Sequence, residues 1–307
     1  MDRKAVARET IEIMKQGYYL FPKNSMNLSE NHFPNRPEIT GHESKNAAAK
    51  SIPIAEDMKH SLDNSLLITP SQGEALLQKY EKDGLFPCSP QTVREKTTVE
   101  NLTAIAAIRR LHQEGRTKIG VLNFASAKNP GGGFLNGAMA QEESLAASST
   151  LYHVLTRHEE YYRQNRAQRS MMYLDYAIYA PDVLFFRDEG FRLVEDPVKA
   201  AVLTLPAVNM GQVLIKGEDP NQAQAVMRRR MKLALCIFAH QGAKNLVLGA
   251  YGCGVFRNDP EKVAAWWQEL LTEGLGSCFD SIFHAVLDRS RNQACIRAFE
   301  IIWPQSH

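Results

Sequence analysis

Twice in this chain a short apolar run passes into a glycine-rich loop and then into a helix start. That recurrence restricts the fold more than any bulk property. Ile119–Phe124 leads to Asn129-Pro130-Gly131-Gly132-Gly133, and after seven further residues to Gln141-Glu142-Glu143 at the start of a helix. Asn245–Leu248 leads to Gly249, Gly252 and Gly254, then to Asp259-Pro260-Glu261, with proline at the first helical position. Strand, loop and helix in succession predict an α/β fold built on a largely parallel sheet. In such sheets ligands sit at the carboxyl ends of strands, where both loops fall. Consecutive glycines carry no Cβ, so their amides can approach an anion closely. A triple glycine alone reads more readily as a flexible turn before an acid-rich surface helix, since such runs are common in loops. The second loop, with matching chemistry, weighs against that.

The remaining pattern is consistent with one large domain, or one domain with an extension. Residues 3–16 predict a helix stopped by Gly17, and 18–65 show no sustained period and predict irregular structure. Thr69-Pro70-Ser71-Gln72 has the form of a capping box leading into Ala75-Leu76-Leu77. Thr97-Thr98-Val99-Glu100 repeats that form and predicts the start of a helix that stops at Gly115. Extended segments are expected near 173–180 and 198–205, a long helix from Asp219-Pro220 to His240, a strand over Ser281–Leu287 and a closing helix over 291–302.

Composition excludes several classes. Of 307 residues, 44% are hydrophobic and 23% charged, an ordinary globular profile, and the formal charge of +2 does not advertise nucleic-acid binding. Arg228-Arg229-Arg230 reads as the solvated face of a helix. No signal-peptide core begins the chain, and no run approaches the roughly 20 apolar residues of a membrane span. Five widely spaced cysteines (88, 236, 253, 278, 295) without a CxxC pair read as reduced thiols in a cytoplasmic protein. His158-Glu159-Glu160 lacks the second histidine of a zinc motif, so no metal site is expected.

The two loops together resemble a known family. Gly131-Gly132-Gly133 with Gln141-Glu142-Glu143 is similar to the GGG-x(6–8)-QEE pattern of poly(ADP-ribose) glycohydrolases, and Gly252-Cys253-Gly254-Val255-Phe256 to their diphosphate loop. Asn123-Phe124-Ala125, Asn129-Pro130 and Tyr179-Ala180-Pro181-Asp182-Val183 resemble the bacterial-type branch. The resemblance covers residues 95–290. It implies a three-layer α/β/α macrodomain-like sandwich with a mixed, largely parallel sheet over 96–307, and a mostly helical N-terminal extension over 1–95 packed on it.

The implied substrate is poly(ADP-ribose) or another ADP-ribosylated macromolecule and the product ADP-ribose. No cofactor, membrane or sequence-specific nucleic-acid partner is implied, and the oligomeric state stays open. Hydrolysis of a ribose–ribose bond needs a proton on the departing oxygen and a water on the sugar. The resemblance gives the acid role to Glu143. Adjacent helical residues point about 100° apart, so Glu142 is expected to bind ribose hydroxyls rather than to face Glu143 across the bond. A helix N-terminus favours ionised carboxylates, whereas burial and a nearby diphosphate favour protonated ones, so the acid is expected to be primed in the bound complex.

Asn123 and Asn129 are candidates for ribose binding or for ordering the loop, and Gln141 for ribose binding or for supporting the helix start. Phe256 reads as a base-stacking rim residue or as core. Cys253 reads as a small residue in a tight loop, since a nucleophile needs a base and no histidine is paired with it. Arg257 reads as a diphosphate partner or a solvated charge. Two other functions share the pocket. A non-catalytic ADP-ribose reader would have no use for the glutamates, and a mono-ADP-ribosyl hydrolase would act on protein or nucleic acid.

Overall fold

The first predicted strand is confirmed in place: Ile119–Phe124 (β5) lies near the centre of a seven-stranded sheet, buried along nearly all its length. The structure is a computed structural model describing residues 2–22 and 49–304. In chain order its elements begin with α1 (Arg3–Gln16), β1 (Tyr18–Phe21), β2 (Lys50–Pro53), α2 (Ala55–Asp63), β3 (Leu66–Ile68), α3 (Pro70–Lys82), α4 (Pro90–Glu95), β4 (Thr97–Glu100), α5 (Ala104–Gln113) and β5. Next come α6 (Gln141–Ser148), α7 (Leu151–Leu155), α8 (Glu159–Ala167), β6 (Ala177–Arg187), β7 (Leu193–Leu205) and α9 (Met210–Ile215). The chain closes with α10 (Pro220–His240), β8 (Asn245–Leu248), α11 (Pro260–Thr272), β9 (Ser281–Ala285) and α12 (Ala294–Ile302).

The sheet order is β3-β6-β7-β5-β8-β9-β4. Strands β7, β5, β8, β9 and β4 run parallel, and only β6 runs against its neighbours. One apolar cluster fills the face covered by α3, α10, α11 and α12, and a second fills the opposite face under α5, α7 and α8. The architecture is therefore a three-layer sandwich with the predicted mixed, largely parallel sheet. No helix among the described residues is long and apolar enough to cross a membrane.

Local signals explain most boundaries. Gly17 caps α1 in the left-handed region at φ 77°, and Thr69 and Gln72 form the expected reciprocal box on α3. Asp219 and Asp259 cap α10 and α11, each with proline in the first turn. Three expectations are corrected. Thr97–Glu100 is a strand, β4, paired parallel with β9, and the cap of α5 is Thr103, whose hydroxyl accepts from Ala106 N. The stretch 18–65 holds β1, β2 and α2 rather than irregular structure, while its residues 23–48 lie outside the described ones. Arg230 is 1% exposed and not a solvated helix charge.

Candidate active site

Because β4, β9, β8, β5 and β7 all point the same way, the loops leaving their carboxyl ends meet along one rim. There they bound a cleft of about 1090 Å³. Its walls include Thr103 after β4, Ser126, Asn129, Pro130, Gly132 and Gly133 after β5, Gly252–Phe256 after β8 and Val286–Arg289 after β9. Arg3 of α1 and Phe191 of the β6–β7 turn close the end nearest the glutamates, with the Arg3 guanidinium 4.3 Å from the Phe191 ring centre.

The first glycine loop and the start of α6 are built around each other. Glu143 accepts from Gly133 N through Oε1 (2.9 Å) and from Ala140 N through Oε2 (3.0 Å), so it clasps the loop to the helix start. Gly131 and Gly132 are both left-handed, at φ 65° and 60°. A Cβ on Gly132 would lie 2.3 Å from Glu143 Oε1 and 3.1 Å from Glu142 Oε2, so glycine is demanded by both conformation and space. The two carboxylates thus converge beneath one residue instead of opposing each other across a gap.

Glu142 is 3% exposed, although it still reaches the cleft wall. Its Oε2 accepts from Ser126 N (2.6 Å) and its Oε1 from Asn123 Nδ2 (3.4 Å). Burial pushes its carboxyl up to about 8, against these hydrogen bonds, which favour the charged form. Tyr161 supports the arrangement by donating from its hydroxyl to Ser126 O (3.4 Å).

The predicted site residues fall into two layers. Asn129, Gly132, Gly133, Gln141, Glu142, Glu143, Gly252, Cys253, Gly254, Val255 and Phe256 all line the cleft. Asn123 and Gly131 do not: the open side of Gly131 faces Tyr152, Ala146 and Phe134, and Asn123 is fully buried behind Glu142, with Nδ2 also donating to Thr204 Oγ1 (3.1 Å). Gln141 spends its side chain on support. Its Oε1 accepts from Phe124 N (2.8 Å) and its Nε2 donates to Leu122 O (2.7 Å), docking the helix on the end of β5 like a further strand residue. Arg257 is exposed, packs over Gly211 and does not line the cleft.

The second loop is held from behind by Asn258, which donates from Nδ2 to Val208 O (2.8 Å) and Gly252 O (3.0 Å). Gly252 is left-handed at φ 74°, and a Cβ there would meet Ala207 and Asn258 at 2.6 Å. Gly254 has open space around it and no positive φ. Phe256 packs on Tyr173, ring centres 6.1 Å apart. Tyr173 is held in turn by Arg230, whose Nη2 donates to Tyr173 O (3.2 Å) while Nη1 donates to Met172 O and Pro206 O and Nε to Asp175. Sequence reasoning missed Arg230, Ser126, Thr204, Arg3 and Phe191. Only Ser126, inside the Asn123–Asn129 segment, lay near a recognised motif.

A family model described as the microbial-type PARG catalytic domain matches residues 7–188, more than half of the chain. The chain belongs to the microbial-type PARG family. Its sandwich is similar to a poly(ADP-ribose) glycohydrolase (PARG) from Thermomonospora curvata, with 34% identity, TM-score 0.82 and 98% of each chain covered. It is also similar to the same enzyme bound to the inhibitor ADP-HPD, with 34% identity, TM-score 0.81 and coverage of 97% and 98%. A PARG from Deinococcus radiodurans in complex with ADP-ribose shares 40% identity at TM-score 0.73, over 80% of this chain and 97% of the other. Comparison with curated protein sequences gave no match.

Proposed function

We infer that this member of the PARG family hydrolyses ribose–ribose O-glycosidic bonds in poly(ADP-ribose) and releases ADP-ribose, with Glu143 as general acid/base. The carrying observation is the convergence of two carboxylates on Gly132 at the cleft wall, beside a second glycine loop free to receive a diphosphate. Glu143 is the less buried of the two and holds its carboxylate against the loop through two backbone donors. In this role it gives its proton to the departing ribose oxygen, and the carboxylate left behind, or the substrate's own phosphate, takes a proton from the water that adds to the sugar. Glu142, whose carboxyl burial pushes up toward the protonated form, is the partner of the ribose hydroxyls in this reading.

Gly132, Gly133 and Asn129 form the ribose-side wall, with Gly131 shaping the turn that presents them. Gly252, Cys253, Gly254, Val255 and Phe256 form the diphosphate-side wall, and Gln141 and Asn123 serve as supports. The same proposal makes 1–95 an extension and 96–307 the catalytic domain. It is supported by Arg3 at the cleft end, although β3 of the extension joins the central sheet. Five free thiols support a cytoplasmic location. The test is release of ADP-ribose from poly(ADP-ribose) by the protein and by Glu143→Gln. The expected result is release that depends on Glu143, with ADP-ribose binding retained in the variant; equal loss of release and binding would make Glu143 structural.

A further inference from the structure

In the proposed reaction the departing oxygen belongs to the rest of the polymer, so the uncut chain leaves the cleft beside Glu143. That chain is a polyanion, with a diphosphate in every unit. The outer side of the adjoining loop is basic. Asn129 O accepts from the N–H of Gly132 (3.0 Å), the residue on which both glutamates converge, and the residue before Asn129 is Lys128. Arg166 of α8 donates from Nη1 to Lys128 O (2.6 Å) and is exposed. Three residues further on is Arg169, also exposed, whose carbonyl accepts from Nζ of Lys216 (3.0 Å) at the end of α9.

These cations form a strip that runs from one glycine loop to the other. Asn209 N donates to Met171 O (3.0 Å), tying residues 169–171 to α9, and Gly211 N donates to Phe256 O (3.0 Å), tying α9 to the second loop. Arg257 closes the strip with its side chain over Gly211. Lys128, Arg166, Arg169, Lys216 and Arg257 form no ion pair among the described residues. Neighbouring carboxylates are occupied: Glu218 accepts from Met171 N (2.9 Å) and Ser170 Oγ, Asp219 from Asn221 N (2.8 Å) and Asp259 from Glu261 N (2.9 Å). The basic face of α10 is the contrast. Arg228 pairs with Glu269 and Glu273, Arg229 with Glu74 and Asp175, and Lys232 with Glu81, so that face is neutralised from within.

We propose that Lys128, Arg166, Arg169, Lys216 and Arg257 form a docking strip for the uncut poly(ADP-ribose) chain, engaging the diphosphates of units beyond the one in the cleft. The occupant follows from the glycohydrolase reading. A single exposed ion pair contributes little, but a row of cations along a charged strand releases counterions together and makes binding salt-dependent. A chain already held in the cleft meets the strip as an intramolecular partner, so weak contacts add to avidity. A single ADP-ribose seated in the cleft gains nothing from the strip, because none of its cations lines the cleft wall.

Binding is measured on Glu143→Gln, so that the chain is not consumed, with and without the three changes Arg166→Gln, Arg169→Gln and Lys216→Gln. Labelled poly(ADP-ribose) is followed by fluorescence anisotropy over a salt series, and ADP-ribose by calorimetry. The expected result is a loss of polymer affinity of about tenfold or more at low salt, a log–log salt slope shallower by about 2, and unchanged ADP-ribose affinity. Arg166→Lys with Arg169→Lys should keep the parent's polymer affinity. Unchanged polymer affinity and slope would overturn the proposal. So would an equal loss for ADP-ribose, which would make these residues supports of the cleft, or single-stranded RNA binding as tightly as the polymer, which would make the strip a nucleic-acid surface. Failure of the glycohydrolase reading shows separately, as no release of ADP-ribose by the wild-type protein, and the strip is still scored by polymer affinity.

Discussion

The two glycine loops look alike in sequence and differ in why they need glycine. Around Gly131–Gly133 the protein itself makes the demand: two left-handed residues in succession, and carboxylate oxygens where a Gly132 side chain would stand. Around Gly252–Gly254 only the first glycine is required in this way. Gly254 has ordinary backbone and empty surroundings, so its missing Cβ leaves room for a ligand. In the proposed reaction one loop positions the chemistry and the other makes space for binding. A glycine motif therefore reports a close approach but not what approaches.

The largest expected effect that separates the loops is at Gly132. Gly132→Ala forces Glu143 from its seat, and a displacement near 1 Å is enough for a rate loss of about 10²-fold. The loss should appear in single-turnover release of ADP-ribose, and a near-normal rate would mean the seat is not catalytic. Next is the brace of the second loop. Arg230→Met leaves the carbonyls of Met172, Tyr173 and Pro206 without their donor and should destabilise the fold by on the order of 3 kcal/mol in urea unfolding. ADP-ribose affinity should fall with it if Tyr173 and Phe256 depend on that brace.

Gly254→Ala should weaken ADP-ribose binding by about tenfold, or 1.4 kcal/mol, with an unchanged melting temperature, because the added methyl meets only ligand. A lowered melting temperature would place the demand in the protein after all.

The remaining effect is electrostatic and is spread over several pH units. Burial raises the Glu142 carboxyl from 4.5 to about 8, so its contribution to stability is fully present below pH 4.5 and is lost as pH rises through 8. Wild type should lose stability relative to Glu142→Gln across that window, by at most about 1.4 kcal/mol per pH unit. Parallel curves would show that the site is wetter than its burial implies. His284 works in the opposite sense. It is fully buried among Trp267, Phe299 and Trp303, and burial lowers it from 6.5 to about 3, so its contribution is present above pH 6.5 and lost as pH falls toward 3.

Much of this was legible in the sequence because the signals are local. A strand entering a glycine loop, a proline after an aspartate cap and the spacing from Gly133 to Gln141 each involve neighbours along the chain, and β5, β8, α10 and α11 follow from them. What was not legible depends on partners distant in sequence. Thr97–Glu100 has the residues of a helix start, but pairing with β9 makes it a strand and passes the cap to Thr103. Arg230 looks like its neighbours Arg228 and Arg229 until the 172–173 turn and Pro206 surround it. Asn123 sits within the motif and could not be assigned a layer, since only Thr204 on the adjacent strand and Glu142 above it show that it supports the site from behind. The closure of the cleft by Arg3 and Phe191 joins segments far apart in the chain.

The division of labour is tested most directly by measuring ADP-ribose affinity and single-turnover release for Glu143→Gln and Gly254→Ala side by side. Glutamine keeps only one of the two acceptors that clasp Gly133 and Ala140, which costs on the order of 1 kcal/mol of local order, so affinity must be read with rate. The account predicts a rate loss of about 10²-fold or more with near-normal affinity for Glu143→Gln. For Gly254→Ala it predicts weakened affinity with a near-normal rate at saturation. Loss of both quantities in both variants would contradict it, and the two loops would then be one structural unit.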